Sequence, residues 1–255
     1  MTIRVGVFGA GGKMGQTVCA AVGADPELDL VAAVDPHAVG RSILGTEVSA
    51  DPKAMADAGV QVGIDFTVLE AARTNVAWCG LHGVHALVGT TGFTADDMAL
   101  FKDTFTRSNC MIVPNFAISA VLMMRFAELA APFFESAEVI EMHHDGKADA
   151  PSGTAVRTVE RMAAAKSEWA PDKTKQEVYP GARGGVGPAG IHVHSVRMRG
   201  LEAHQEVLFG TRGQTLIIRQ DSYDRDSYMP GVLLATKKIA DHPGVTVGLD
   251  ALLGF

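Results

Sequence analysis

The segment from Glu141 to Ala155 concentrates side chains that can move protons and bind anions. Two adjacent imidazoles, His143 and His144, are followed by the ammonium group of Lys147 and by a turn-prone Asp-Ala-Pro sequence. Histidine is the side chain whose charge changes most readily near neutral pH, and lysine can protonate or stabilise a developing negative charge. The residue types and their spacing therefore predict an acid–base site.

The residues that follow predict the start of a helix. Ser152 is a favourable N-cap, and Pro151 disfavours helix before it. The first N–H groups of such a helix lack internal partners, and Gly153 lets another group approach the backbone closely. Ser152, Gly153 and Thr154, together with His144, are thus predicted to bind a substrate carboxylate. The alternative is a solvated turn before an ordinary capped helix.

Strand geometry limits how both histidines could serve one ligand. The segment Glu138 to His144 is predicted to be a strand, in which side chains alternate between faces. His143 would then share a face with Glu141, and His144 would point the other way. Both imidazoles can face one ligand only if the strand ends beside them, and Asp145-Gly146 would allow that.

A second candidate site lies near the N-terminus. A short β-rich run from Ile3 to Phe8 leads into the glycine turn Gly9–Gly15, and a helix is predicted from about Met14 to Ala24. A second apolar run, Leu28 to Val34, is followed by Asp35. Glycines of this kind let backbone N–H groups approach a pyrophosphate, and the acid can accept hydrogen bonds from a ribose.

The glycine spacing departs from the common dinucleotide fingerprint. Met14 occupies the position of the third glycine, and the regular spacing is instead that of Gly9, Gly12 and Gly15. The order of strand, glycine turn, helix, strand and acid nevertheless predicts a dinucleotide site. A tight strand-to-helix turn that binds no ligand is the alternative.

The alternation of strands and helices continues to about residue 117 and predicts a doubly wound parallel sheet of Rossmann type. Ligands of such sheets bind outside the carboxyl ends of the strands. Seven further residues are expected at that edge beside Gly9 and Asp35, namely Phe66, Thr67, Gly89, Thr90, Thr91, Asn115 and Phe116. Thr90, Thr91 and Asn115 could hold a ribose or a nicotinamide amide, or they could be ordinary turn residues.

The C-terminal half has a different pattern. A long helix is predicted from Ile118 to about Glu135, and the glycine-rich segment 181–190 is predicted to be irregular. Three later strand-like runs indicate a mixed or antiparallel sheet, at Ile191–Met198, His204–Gly210 and Thr215–Arg219. A helix within Asp221–His242 and a strand at Val245–Leu249 are predicted to return to the first domain. We therefore predict a dinucleotide-binding domain of residues 1–117 and 224–255, and a substrate-binding and oligomerisation domain of residues 118–223.

Composition excludes several classes of function. The chain has 255 residues, 47% of them hydrophobic, and a formal net charge of -7, which argues against a general nucleic-acid binder. No apolar run is long enough to span a membrane, and the N-terminus lacks a signal-peptide pattern, so a cytoplasmic protein is expected. Three widely spaced cysteines predict reduced core residues and neither a disulfide framework nor a metal site.

These motifs together resemble the 4-hydroxy-tetrahydrodipicolinate reductase (dihydrodipicolinate reductase) family over essentially the whole chain. The most specific is His143-His144-x-x-Lys147-x-Asp149-Ala150-Pro151-Ser152-Gly153-Thr154-Ala155. The glycine turn Gly9–Gln16, Gly89–Gly92, Asn115-Phe116, His204–Gly210 and Met229–Val232 support it.

The resemblance implies an NADH- or NADPH-dependent oxidoreductase that reduces a small cyclic dicarboxylate in diaminopimelate and lysine biosynthesis, and it implies a homotetramer. By similarity, His143 matches the family's proton donor or acceptor and Lys147 its proton donor. His144, Gly153 and Thr154 match its substrate-binding positions. The implied dinucleotide contacts are Gly9, Ala10, Gly11, Gly12, Lys13, Met14, Asp35, Gly89, Thr90, Thr91, Val113, Pro114, Asn115 and Phe116.

Two departures from the family pattern are visible. Some members carry a basic residue just after the position of Asp35, where this chain has Pro36, so we expect NADH to be favoured and NADPH to be accepted. Gln220 stands where many members have histidine. Two other functions stay open at this point: another NAD-dependent dehydrogenase of similar build, and a non-catalytic dinucleotide sensor.

Overall fold

The computed structural model describes residues 2–255, which form two compact units. The first unit contains the residues up to Ala117 together with Arg225–Phe255, and the second contains Ile118–Asp224. The boundary before the closing segment thus follows Asp224, one residue later than the sequence-based division.

Strands and helices are numbered in chain order. The strands are β1 (Ile3–Phe8), β2 (Leu28–Val34), β3 (Ser42–Ile43), β4 (Thr46–Ser49), β5 (Val62–Asp65), β6 (His85–Val88), β7 (Cys110–Ile112), β8 (Ser136–His143), β9 (Gly185–Val186), β10 (His192–Arg197), β11 (Ala203–Thr211), β12 (Gln214–Ser222) and β13 (Val245–Val247). The α-helices are α1 (Lys13–Ala24), α2 (Lys53–Asp57), α3 (Leu69–His82), α4 (Ala95–Thr104), α5 (Ile118–Ala130), α6 (Gly153–Ala165) and α7 (Met229–Lys238).

The first unit contains a largely parallel sheet in the order β13-β7-β6-β5-β1-β2-β4-β3. Only the β3–β4 pair is antiparallel among the strand pairs of residues 2–255 that belong to this sheet. Its central strands are short and apolar because both faces of such a sheet are covered. The predicted Rossmann-like sheet is confirmed, and the carboxyl ends of β1, β5, β6 and β7 lie side by side.

Local sequence signals account for several element ends in this unit. Thr94 caps α4, and its side chain and that of Asp97 form a reciprocal capping box. Gly15 lies on α1 where an added Cβ would be 2.0 Å from the carbonyl oxygen of Gly9, so only glycine allows this packing of the helix on the turn. The three cysteines are buried and free, as expected for core residues.

The second unit contains a mixed sheet in the order β12-β11-β8-β10-β9. The β8–β10 pair is parallel, and β8–β11, β11–β12 and β9–β10 are antiparallel. Helix α5 packs against α6, and α6 contacts β8. The core includes apolar side chains of the sheet and of α6, namely Val139, Val207, Phe209, Val159 and Met162.

Some predicted elements differ from the structure. Helix α5 ends at Ala130, before the predicted Glu135, because Pro132 cannot continue the α-helical hydrogen bonding and a short 3-10 turn replaces it. Helix α7 lies within the predicted range, and it begins at Met229 after a 3-10 turn at Arg225–Tyr228. The segment predicted to be irregular contains the two-residue strand β9, which pairs antiparallel with the start of the nearby strand β10. Strands β3 and β4 and helix α2 were not predicted. No helix within residues 2–255 has the length and hydrophobicity needed to cross a membrane.

Candidate functional site

The glycine turn of the first unit leads directly into the uncapped start of helix α1. Gly9 has a positive φ of 71°, and its carbonyl oxygen accepts a hydrogen bond from the N–H of Gly12 at 3.0 Å. Helix α1 begins directly after Gly12, and no side chain caps its first N–H groups. Ala10 is buried, Met14 is half-buried, and Gly12 and Lys13 are exposed at the helix start. The residues therefore fit a phosphate group at this helix end.

Asp35 follows β2 and is connected to the glycine turn. Its Oδ2 accepts a hydrogen bond from the N–H of Gly11 at 2.9 Å, and its Oδ1 accepts one from the N–H of His37 at 2.9 Å. The residue is only 8% exposed, so the carboxylate is fixed in place. Each carboxylate oxygen has two lone pairs, and the remaining ones can accept bonds from ribose hydroxyls.

The ends of β6 and β7 carry the other predicted dinucleotide contacts. Gly89 lies against Phe66, because an added Cβ would be 2.2 Å from the Phe66 ring. That ring packs against the buried Phe116 with centroids 5.3 Å apart. Asn115 accepts the N–H of Ala117 at 2.9 Å and so shapes the turn after β7. In that turn Val113 is buried and Pro114 is exposed.

The hydroxyl of Thr90 is used within the unit, and Thr91 is exposed. Thr90 Oγ1 lies 2.9 Å from the carbonyl oxygen of Thr67 and 3.2 Å from Oδ1 of Asp65. Asp65 is a buried carboxylate at the end of β5, and no motif in the sequence marked it. It also accepts hydrogen bonds from the N–H and the hydroxyl of Thr67 and from the side-chain amide of Asn75. Asp65 thereby links the ends of β5 and β6. The available signal was an acid that ends an otherwise apolar strand.

The candidate proton donor His143 is the last residue of β8 in the second unit. Its Nδ1 lies 2.5 Å from Oε2 of Glu141, which confirms that the two side chains share a face of the strand. Because an ionised carboxylate can only accept, Nδ1 carries the hydrogen and Nε2 is the nitrogen that can take up or release a proton. Burial lowers the pKa of His143, Glu141 opposes that shift, and Lys147 and Arg197 add to it.

The strand ends between the two histidines, as the shared-ligand arrangement requires. His144 lies outside β8 and is exposed, and its N–H donates to the carbonyl oxygen of Glu202 at 3.3 Å. Its carbonyl oxygen accepts the N–H of Lys147 at 3.2 Å, which closes a turn. The alternation of strand side chains therefore does not force His143 and His144 onto opposite faces.

Lys147 lies in this turn and forms an ion pair with Asp149. The distance from its Nζ to Oδ1 of Asp149 is 2.7 Å. The hydrogen bond from Lys147 holds the pKa of the Asp149 carboxyl below its usual value. Lys147 thus lies between the end of β8 and the start of α6, four residues after His143, and Asp149 holds its ammonium group.

Helix α6 begins at Gly153 with Ser152 as N-cap, as predicted. The hydroxyl of Ser152 accepts the N–H of Ala155 at 3.2 Å, and its own N–H donates to Oε1 of Glu141 at 3.2 Å. Ser152 is buried, so both of its polar groups act inside the unit. Gly153 is exposed, and an added Cβ would meet no atom within 4 Å. The backbone at Gly153 and the half-buried Thr154 form the accessible part of the helix start.

Two further observations bear on the chemistry. Within residues 2–255 no group of three or more His, Cys, Asp or Glu side chains could hold a metal ion. Gln220, the departure from the family pattern, is buried, and its side-chain amide donates to the hydroxyl of Ser222 at 2.7 Å. It therefore has a structural contact at the end of β12.

The chain is similar to known proteins over nearly its whole length. Residues 3–116 match the family model described as dihydrodipicolinate reductase, N-terminus, and residues 119–253 match the model of its C-terminus. The 4-hydroxy-tetrahydrodipicolinate reductase of Corynebacterium aurimucosum is 49% identical over 100% of both chains. The enzyme of the same name from Nocardia farcinica is 50% identical over 99% of both.

A solved structure gives the same result. The dipicolinate-bound dihydrodipicolinate reductase from Paenisporosarcina sp. TG-14 superposes with a TM-score of 0.88 and is 36% identical, covering 98% of this chain and 99% of that one. The resemblance stated from the sequence motifs is therefore confirmed. The chain belongs to the 4-hydroxy-tetrahydrodipicolinate reductase family, also called the dihydrodipicolinate reductase family.

Proposed function

We propose that this chain reduces 4-hydroxy-tetrahydrodipicolinate to tetrahydrodipicolinate with a nicotinamide dinucleotide, as a step of diaminopimelate and lysine biosynthesis. The observation that supports this most directly is the contact between His143 and the buried Glu141 beside the accessible start of α6. It supports the proposal because His143, the proposed proton donor, and the start of α6, the proposed carboxylate site, are both bonded to Glu141 within one unit. The relatives named above carry the same activity in their names.

The first unit is proposed to bind the dinucleotide. The N–H groups of Lys13 and Met14 at the start of α1 would hold the pyrophosphate, the residues Gly9–Gly12 would let it approach the backbone closely, and Asp35 would accept ribose hydroxyls. The residues 89–91 and 113–116 would contact the nicotinamide end. When bound, the reduced nicotinamide supplies the hydride. We further propose that NADH is favoured over NADPH.

The second unit is proposed to bind the substrate and to supply protons. The backbone of Gly153 and Thr154, with His144, would bind a substrate carboxylate, while Ser152 holds the helix start in shape. Reduction of a carbon conjugated to C=N requires that the developing charge be neutralised, and loss of the 4-hydroxyl as water requires a second proton. His143 through Nε2 and Lys147 through Nζ are the proposed donors.

The test is an assay with NADH and the cyclic substrate that follows the absorbance of the reduced nicotinamide. Lys147→Met should lower kcat by at least about 100-fold, since a general acid is lost. His143→Gln should also lower kcat substantially, and dinucleotide affinity should stay close to that of the unchanged chain in both variants. Lys173→Met, a change of the same type at an exposed loop lysine, serves as the control.

The outcomes separate the alternatives. Dinucleotide binding without turnover of the cyclic substrate would point to a sensor, and turnover of a different substrate would point to another dehydrogenase. Normal turnover in both the Lys147 and the His143 variants would remove these residues from the mechanism. A cytoplasmic location and a homotetrameric assembly remain proposals of the same kind.

A further inference from the structure

Glu141 is a completely buried carboxylate inside the proposed substrate-binding unit. It is 0% exposed and lies on β8 two residues before His143. Removing a charged carboxylate from water is very unfavourable unless paired charges and hydrogen bonds satisfy both oxygens. The groups around Glu141 supply that compensation, and each of them belongs to a part of the proposed site.

Arg197 provides the compensating charge. It is the last residue of β10 and lies opposite His143 in the parallel β8–β10 register. Its Nη1 donates to Oε2 of Glu141 at 2.9 Å, and its Nη2 donates to Oε1 at 2.8 Å, which forms a bidentate pair. The same Nη2 donates to the carbonyl oxygen of Asp149 at 2.6 Å. Arg197 therefore connects the buried carboxylate to the turn that carries Lys147.

The two oxygens of Glu141 also contact two different functional features. Oε2 accepts the Nδ1 hydrogen of His143, and Oε1 accepts the N–H of Ser152, the N-cap of α6. One rigid carboxylate is thus bonded to the proposed proton donor and to the start of the proposed carboxylate-binding helix. A shift of this group would displace both.

We propose that Glu141 and Arg197 are positioning residues for the reduction. Glu141 fixes His143 in the form that presents Nε2 for proton transfer and holds it in register with the start of α6. Arg197 keeps Glu141 ionised and ties the Lys147 turn to the same point. This inference rests on the proposed function, and neither residue needs to touch the substrate. Carboxylates that orient a histidine through its other ring nitrogen act in this way in many sites.

The charges around His143 predict how its titration should respond. The ionisable groups that face it are Glu141 on its own strand, Lys147 in the following turn and Arg197 on the neighbouring strand. Glu141 raises the pKa of His143, whereas burial and the two cations lower it. Burial raises the pKa of Glu141 itself, but hydrogen bonds from Arg197, Ser195 and His143 outweigh burial and hold it below the usual value. Loss of the Glu141 charge should therefore lower the pKa of His143 further.

The same strand offers a matched control. Glu138 lies three residues earlier on β8 and also pairs with an arginine and a histidine, Arg183 and His194. It makes no contact with His143 or with the start of α6 among the hydrogen bonds described for residues 2–255. Glu138→Gln removes a charge of the same kind from the same element without touching the proposed network.

The first measurement is the NMR titration of the His143 ring in the unchanged protein, in Glu141→Gln and in Glu138→Gln. Glu141→Gln should lower the His143 pKa by at least about one unit, as expected for loss of an adjacent opposite charge. Glu138→Gln should leave it unchanged. This titration needs no substrate, so it remains informative even if the proposed reductase activity is absent. Equal titration in all three proteins would overturn the role of Glu141.

The second measurement is the pH dependence of kcat. Glu141→Gln should lower kcat about 10- to 100-fold through misplacement of the donor, with little change in the KM for dinucleotide. Because His143 must be protonated to donate and its pKa is lowered in Glu141→Gln, the activity of this variant should be lost at a lower pH than that of the unchanged enzyme as the pH rises. A kcat and pH profile equal to those of Glu138→Gln would contradict the proposal. If no protein, including the unchanged one, turns over the substrate, the proposed function fails instead.

Arg197→Lys covers the case in which Glu141→Gln does not fold, which circular dichroism would show. Lysine keeps the positive charge but cannot form the two parallel bonds and the bond to Asp149. We expect a fall in kcat with nearly the same His143 pKa, because Glu141 stays ionised. Unchanged kcat in Arg197→Lys would remove Arg197 from the positioning role.

Discussion

At the scale of the residue, we propose that Asp35 sets the preference between NADH and NADPH. Its carboxylate is fixed by the N–H groups of Gly11 and His37, whereas the nearby cations of Lys13 and Arg41 are exposed and must move to meet a phosphate. A 2′-phosphate at this position would meet a like charge, and the attraction and the repulsion are each worth about 1–2 kcal/mol at a partly solvated site. The repulsion between the Asp35 carboxylate and a 2′-phosphate should slightly exceed this attraction, so NADH should be favoured.

Asp35→Ala should therefore weaken NADH use and improve the relative efficiency with NADPH. The kcat/KM values for both dinucleotides measure this, and Asp29→Ala, which removes an exposed acid from β2, is the control. A preference of the unchanged enzyme for NADPH of about tenfold, or about 1.4 kcal/mol, would show that Lys13 or its neighbours control the pocket.

Residues within one local motif could be predicted from the sequence, and residues that depend on strand register could not. Short-range spacing predicts the Gly9–Gly15 turn and the Ser152 cap. It also predicts that His143 and Glu141 lie on the same face of β8. Arg197 is 56 residues from Glu141 in the chain, and only the parallel register of β8 and β10 brings them together. Asp65 was missed for the same reason, since its contact with Thr90 crosses from β5 to β6.

At the scale of the element, the start of α6 is proposed to act as the receptor for a carboxylate. Pyridine-2,6-dicarboxylate, a planar ring with two carboxylates, should bind the unchanged protein in calorimetry and compete with the cyclic substrate. Gly153→Ala should weaken this binding at least about tenfold, because the added methyl group occupies the open approach to the backbone. Glu160→Ala, at an exposed position of the same helix, should bind normally. Failure of the unchanged protein to bind the dicarboxylate, with or without dinucleotide, would count against this site.

Helix α7 packs against the turn that follows β7. An added Cβ at Gly231 would lie 2.0 Å from the carbonyl oxygen of Phe116, the last residue of the proposed nicotinamide-contacting turn. Gly231→Ala should destabilise the first unit by about 1–3 kcal/mol through overpacking and should weaken dinucleotide binding. Thermal unfolding and dinucleotide titration measure the two effects, with Lys238→Ala on the exposed side of the same helix as control. Unchanged affinity would mean that α7 does not shape the turn.

Element types were predicted more reliably than element ends. Repeated apolar runs and glycine turns indicated the parallel sheet, and Ser152 marked the start of α6. The end of α5 at Ala130 differs from the prediction because Pro132 interrupts the α-helical hydrogen bonding. The two-residue strands carry too few residues for any periodic pattern.

At the scale of the whole molecule, the second sheet has β9 and β12 as its edge strands. Ile217 on β12 is 56% exposed and apolar, and proteins usually cover or pair such an edge. We propose that copies of the chain pair here in a homotetramer, so light scattering should give four times the chain mass of 26.8 kDa. Ile217→Lys should yield a smaller species, whereas Val247→Lys, at a 54% exposed strand residue of the other sheet, should not. A single-chain mass at micromolar concentration would contradict the proposal.

The division of the first unit into two chain segments has a consequence for how the protein folds during translation. Its closing segment, which contains α7 and β13, is translated after residues 118–224. Until then β7 lacks the partner that β13 provides, and the Asp25 carboxylate lacks Lys237, which pairs with it at 2.8 Å. Domains generally fold as their residues emerge from the ribosome. We therefore expect the nascent chain to complete the inserted unit first, so that the sheet of the first unit is completed only after residues 225–255 have been translated.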